Sequence, residues 1–238
     1  MDTKAIYKTI VDFCRKNTDQ TIIKKYSKYF KEGYDAYGLS QEKMDEITQK
    51  VLDSKDMNLK KALELSTLLV KSGKYEETFL AIRFVKNYSD KFDISTFKEV
   101  SKWFTLGIIN WAHTDVFCGT LMTLFIDKKI ILLKDLKQWR TASNKYQRRA
   151  VPVTMLHLIK TGKNGYEAMF DFIEPLMIDE ERAVQQGLGW FLREARKNKK
   201  NETEKFLIKW KDKAPRLIFQ YATEKMSPIE KKRFKKEK

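Results

Sequence analysis

Residues 56–71 read DMNLKKALELSTLLVK. Leu59, Leu63, Leu65, Leu68 and Leu69 gather along one side of a 3.6-residue period with lysines between them, so the stretch predicts an amphipathic helix. The same pattern runs outward in both directions. Upstream, residues 3–15 space Ile6, Ile10, Phe13 and Cys14 by three and four, and 20–31 do so with Ile22, Ile23, Tyr26, Tyr29 and Phe30. Residues 41–52 follow Gly38 and Ser40, a residue that can cap a helix. Downstream, Phe79, Ile82, Phe84 and Val85 carry a helix over 75–88, and Phe97, Trp103, Leu106 and Ile109 one over 95–112. Further helices are expected at 114–126, 131–141, 145–160, 165–173, 179–197, 202–211 and from about 214. Asn201 with Glu204 reads as a capping box, and Asp179, Glu180 and Glu181 as acids in a first turn. Pro152 falls inside the pattern begun at Lys145, which predicts a late helix start or a kink.

Helix pairs therefore recur about every 35 to 40 residues, the period of helical-repeat arrays. The expected fold is all-α: a right-handed α-α superhelix, a HEAT/ARM-like solenoid of antiparallel helix pairs with a basic concave face. The 9 Gly and 4 Pro, every Pro beyond residue 150, leave little room for the frequent turns of a β-sandwich. A single helical-repeat domain over residues 1–238 is expected, ending in a basic tail at about 228–238. That tail carries six basic residues in its last eight and suits either a frayed terminus or extra phosphate contacts.

The 48 Lys and Arg against 32 Asp and Glu give a net charge of +16. The pI is near 9.6, and a field of that sign raises the local concentration of polyanions. Nucleic acid is the first candidate partner and an anionic membrane surface the second. Cys14 and Cys118 are lone thiols with no metal-ligand spacing, which fits a reducing cytoplasm. The charged N-terminus lacks the apolar core of a secretory signal, and apolar runs such as GIINWA are too short to span a bilayer, so a soluble, cytoplasmic protein is expected. Nucleophile elbows, phosphate loops, HExxH and dinucleotide fingerprints are absent, and two histidines disfavour a His-based triad.

Three segments could carry chemistry. In NWAHTD (110–115), Trp111 and Asp115 are four residues apart and stand on one helix face, although a Trp at helical spacing is usually core and Asp115 could instead cap a helix over 115–126. In YQRRA (146–150), Arg148 and Arg149 open a helix where backbone N–H groups favour an anion; adjacent residues diverge, so at most one faces a site. In GLGWFLRE (187–194), Trp190 lies one turn before Arg193. Gly187 and Gly189 cost about 1 kcal/mol each against Ala, which implies close packing or a close ligand.

Those strings, at those spacings, resemble the AlkD-type DNA alkylation repair glycosylases, over roughly residues 20 to 215. The resemblance implies a HEAT-like solenoid that wraps duplex DNA and releases N3- and N7-alkylated purines, reading the lesion with little or no base flipping. Carried over by motif, Asp115 is the catalytic carboxylate, Trp111 and Trp190 are aromatic walls beside the deoxyribose, and Arg149 is the phosphate clamp. Arg148 is the alternative clamp, Arg193 a further DNA contact, and Tyr26 in KKYSKYF the family's N-terminal cleft tyrosine. The segment EGYDAYGLSQEKM lacks the Pro and Arg of the family's usual loop there. A monofunctional glycosylase acting as a monomer in base excision repair, without metal or organic cofactor, is expected. Two other readings use the same residues: a non-catalytic helical module that binds DNA or structured RNA, and a protein-interaction scaffold, against which the charge argues.

Overall fold

The computed structural model describes residues 2–161 and 165–236. Among the described residues every regular element is helical and no strand occurs, as the apolar periodicity predicts. By internal packing the chain forms two compact units, Met1–Ile130 and Ile131–Lys238.

The first unit holds α1 (Thr3–Lys16), α2 (Gln20–Ser27), α3 (Gln41–Leu52), α4 (Leu59–Lys71), α5 (Tyr75–Lys86), α6 (Ile94–Ser101), α7 (Trp103–Leu106), α8 (Trp111–Phe117) and α9 (Thr123–Asp127). Its core is the α4–α5 pair, where Leu65, Leu69, Leu80 and Phe84 are fully buried. Burying side chains of that size contributes about 1.5–3 kcal/mol each. Short polar side chains begin the helices: Ser40 accepts from Lys43 N–H, Asn58 from Lys61 N–H and Asp93 from Thr96 N–H. By contrast α2 buries none of its residues.

One expected helix is broken. Residues 95–112 do not run through; α7 stops at Leu106 and α8 starts at Trp111. Gly107 is the cause, because a Cβ there would lie 1.7 Å from the carbonyl oxygen of Val70. The chain can pass the end of α4 only without a side chain, and Asn110 then caps a new helix by accepting from His113 N–H at 2.9 Å. Asp115 is consequently inside α8, and no helix starts at 115. Residues Cys118–Met122 form a single π turn between α8 and α9.

The second unit holds α10 (Lys145–Thr161), α11 (Tyr166–Ile173), α12 (Arg182–Asn198), α13 (Lys200–Trp210), α14 (Arg216–Ala222) and α15 (Pro228–Lys232). Helix α12 packs on α10 and on α14. Pro152 lies well inside α10, so the helix does not start late, and Pro152 has no N–H to give the carbonyl of Arg148. The segment 131–141 is wound as a 3₁₀ helix, Leu133–Thr141, rather than α. Helix α12 begins three residues after Asp179, whose side chain instead accepts from Glu181 N–H at 2.9 Å. That local bond competes with helix entry. The expected box of Asn201 and Glu204 is also absent. Helix α13 starts at Lys200, and the Glu204 carboxylate takes Arg196 and Arg233 instead. At the basic C-terminus, Ser227 and Glu230 form a capping box for α15, and Phe234 is buried with its carbonyl accepting from Arg216 at 2.9 Å. Residues 237–238 of the expected tail lie outside the described residues.

Candidate functional site

In the first unit the site residues sit where α8 begins. Trp111 is the first helical residue after the Asn110 cap, so its indole projects from a helix end and stays 38% exposed. The indole stacks on Phe30, ring centroids 5.3 Å apart and planes 18° from parallel. Its Nε1–H donates to the carbonyl of Tyr29 at 3.3 Å. Phe30 stacks in turn with Tyr34 at 4.5 Å, and Tyr75 meets both rings edge-on. One indole face is thus fixed by protein while part of the ring reaches solvent. Asp115, half-buried, follows one turn later on the same side of α8.

Tyr26 is brought to this cluster from α2. Its ring is 42% exposed and lies 6.5 Å from Tyr29. Lys25 covers the Tyr26 ring at 5.4 Å and Lys28 the Tyr29 ring at 5.1 Å. Exposed aromatic faces next to ammonium groups suit a nucleic acid, whose sugars and bases are flat or apolar and whose linkages are anionic.

His113, beside Trp111 in sequence, is no part of the exposed surface; it is fully buried. Its Nε2 lies 3.2 Å from the Tyr75 carbonyl and its Nδ1 3.2 Å from Asn110 Nδ2. A carbonyl only accepts, so the hydrogen-bond network assigns the proton to Nε2 and leaves Nδ1 as the acceptor. Burial pulls the imidazole down from 6.5 to about 4, outweighing the Tyr75 bond, and it stays neutral at neutral pH. His113 is a strut between α8 and α5.

In the second unit the two adjacent arginines part company. Arg148 donates to Asp179 through Nε at 2.6 Å and Nη2 at 3.3 Å, and its Nη1 donates to the carbonyls of Ala142 at 2.7 Å and Ser143 at 3.1 Å. It is tied down on all sides. Arg149 is 5% exposed and lies along the seam between α10 and α12, where its Nη1 donates to the Ala183 carbonyl at 2.7 Å. Gly187 sits on this seam: a Cβ there would be 3.3 Å from Arg149 Cγ. Residues 183, 187 and 190 form one stripe of α12, so Trp190, half-buried, shares the Arg149 side.

The two glycines of GLGWFLRE therefore serve packing. A Cβ on Gly189 would lie 2.4 Å from Tyr221 Cβ and 2.7 Å from the Ile218 carbonyl, which is how α14 crosses α12 so closely. Arg193, one turn beyond Trp190, pairs with Glu224 and, at 3.2 Å, with Glu194. Gln186, one turn before Trp190, donates to the Tyr221 hydroxyl at 2.7 Å.

The sequence reading missed the residues behind Trp111. Phe30 read only as one more apolar position, and nothing in the helical pattern singles out Glu76, yet Glu76 is 2% exposed and holds the backbone of residues 37–39. Among the described residues no group of three or more His, Cys, Asp or Glu could hold a metal ion, and no helix is long and apolar enough to cross a membrane.

A family model described as "DNA alkylation repair enzyme" matches residues 14–226. No curated protein matches the sequence. Among solved structures, one from Enterococcus faecalis, described as a "Predicted DNA alkylation repair enzyme", superposes with a TM-score of 0.69 at 15% sequence identity, covering 89% of this chain and 98% of that chain. At that identity the likeness is one of fold.

Proposed function

Because the chain belongs to the DNA alkylation repair enzyme family, we propose that it is a monofunctional DNA glycosylase that hydrolyses the N-glycosidic bond of cationic N3- and N7-alkylated purines in duplex DNA. The observation that carries this reading is the start of α8: a half-exposed indole clamped by Phe30 and the Tyr29 carbonyl, with a carboxylate one turn on.

An N3- or N7-alkyl purine already bears positive charge and leaves readily. As its bond to C1′ lengthens, positive charge spreads over the deoxyribose. Asp115 beside C1′ stabilises that charge and orients the attacking water. At about 4 Å and an effective dielectric near 20, the attraction is on the order of 4 kcal/mol, about a thousandfold in rate. Trp111, one turn before Asp115 on α8, adds cation–π attraction of about 0.5–2 kcal/mol. Water supplies the nucleophile and the purine leaves with the bonding pair, so the sugar-phosphate chain stays intact.

Tyr26, with Lys25 and Lys28 over the neighbouring rings, contacts the strand from the first unit. Arg149, buried on the Trp190 seam and bonded to Ala183, takes a phosphate in the second only where that seam opens to it. Arg148 is assigned to the fold, since Asp179 and two carbonyls already hold it, and Arg193 reaches DNA only by leaving Glu224. Basic surface of this kind positions a duplex without reading its sequence.

The deciding experiment is release of free base from duplex DNA carrying N7-methylguanine or N3-methyladenine, with the Asp115→Asn protein in parallel. Release by the native chain and not by the variant is the expected result. Binding of the same duplex with no release by either protein would replace this reading with a non-catalytic DNA-binding module.

A further inference from the structure

Glu76 stands at the second residue of α5 and is 2% exposed. A buried carboxylate is costly unless hydrogen bonds replace its water. Here three backbone amides do so: Tyr37 N–H at 2.9 Å on Oε2, and Gly38 N–H at 2.7 Å and Leu39 N–H at 3.1 Å on Oε1. Such bonds to a charged acceptor are about twice as strong as neutral ones.

The segment they hold is a strap, residues 30–39, fixed at several further points. The Tyr37 carbonyl accepts from Asp19 N–H at 2.9 Å, and the Tyr37 hydroxyl donates to Glu77 at 2.7 Å. The Asp35 carbonyl accepts from Tyr75 N–H at 2.8 Å, and Lys74 pairs with the Asp35 side chain. Gly38, at φ +77°, passes Asp19 so closely that a Cβ would lie 2.2 Å from its carbonyl. Phe30, under Trp111, and Tyr34, against Phe30, belong to this strap, and Tyr75, the residue before Glu76, packs edge-on to both.

We infer that Glu76 is a positioning residue for Trp111: it pins the strap whose aromatic side chains set the plane and depth of the indole at the damaged nucleotide. The inference rests on the reading of Trp111 as an aromatic wall. Glu76 touches no substrate and acts through the backbone of residues 37–39. Gln in its place keeps the shape but sets an NH₂ group against one or more backbone N–H donors, so the strap loosens while the α4–α5 core is untouched.

The test uses the full chain labelled with 5-fluorotryptophan, whose five indoles give separate fluorine signals. Trp111→Phe identifies the Trp111 line. In Glu76→Gln that line is expected to shift or broaden while the other four hold. The single-turnover rate of base release is expected to fall about tenfold to a hundredfold, the scale of an ångström's misplacement, with affinity for undamaged duplex within about twofold. An unmoved Trp111 line, or a release rate within about twofold of native, overturns the inference. If Glu76→Gln does not fold, Phe30→Leu, which keeps every backbone bond of the strap, must move the same line and slow the same step; failure to do so overturns it equally. Absence of release by the native chain instead sinks the glycosylase reading, and the fluorine spectra still decide whether Glu76 sets the indole.

Discussion

Arg148 and Asp179 form a two-pronged ion pair, Nε to Oδ2 at 2.6 Å and Nη2 to Oδ1 at 3.3 Å, with both side chains largely out of water. The pair ties the first turn of α10 to the residues leading into α12, and it turns Arg148 away from the seam that Arg149 occupies. The two adjacent arginines thus have different surroundings. Arg148→Met strands a largely buried carboxylate and is expected to lower stability by about 1–3 kcal/mol, leaving the salt dependence of DNA binding unchanged. Arg149→Met loses the Ala183 bond and also costs stability; what sets it apart is an expected reduction of about 0.9 in the slope of log K against log salt, the signature of one lost phosphate contact. Salt titrations separate the two, and a reduced slope in Arg148→Met alone would give the phosphate to Arg148.

Asp115→Asn keeps the size of the side chain and removes its charge. If that charge faces the developing oxocarbenium, base release falls about a thousandfold while duplex affinity holds or rises, because a negative group has left a surface that meets a polyanion. Measuring single-turnover release and duplex affinity on the same preparation checks both halves. Release within about tenfold of native would remove Asp115 from the catalytic role.

The helices themselves were legible, since fully buried side chains such as Leu65, Leu69, Phe84 and Phe191 fall where a 3.6-residue period puts them. What escaped was set at a distance. The stop after α7 comes from Val70 pressing on Gly107, 37 positions along the chain, and no local signal at 107 carries that information. Asp179, Glu180 and Glu181 look like first-turn acids until Arg148 claims the first of them. Glu76 and Glu77 look like an ordinary acidic first turn. Only the returning strap, 37 to 40 positions earlier, makes them a buried acceptor site. Trp111 and Asp115 could be paired from their spacing alone, yet the Phe30 stack that gives the indole its orientation could not.

Stability should depend on pH through His113. Its pKa is about 6.5 in the unfolded chain and about 4 when folded, so between those values the unfolded chain binds the extra proton. The contribution is therefore fully present above about pH 6.5 and is lost as pH falls towards 4, by about 3 kcal/mol in all. Asp93 and Glu230, each held near 2 by hydrogen bonds led by those from Thr96 and Ser227, respond only at lower pH. Urea melts at pH 6.5 and 4.5 are expected to show most of the drop in the native chain and a much flatter profile in His113→Gln. An equal drop in both proteins would assign the acid sensitivity to other groups.

Two glycines offer opposite outcomes for one substitution. At Gly189 an added methyl group would meet Tyr221 Cβ at 2.4 Å and the Ile218 carbonyl at 2.7 Å. Neither atom can yield without moving α14, so Gly189→Ala forces the crossing of α12 and α14 apart. A loss of at least about 1–3 kcal/mol follows from overpacking of this kind. Gly119 lies in the π turn after α8 with nothing within 4 Å of a built Cβ, and its φ is not left-handed. There the methyl group only restricts the unfolded chain, so Gly119→Ala is expected to stabilise by about 0.4–1 kcal/mol. Melting of the two variants beside the native chain tests the packing directly. A neutral Gly189→Ala would mean that α12 and α14 cross more loosely than these distances imply, and that the glycines before Trp190 serve something other than close approach.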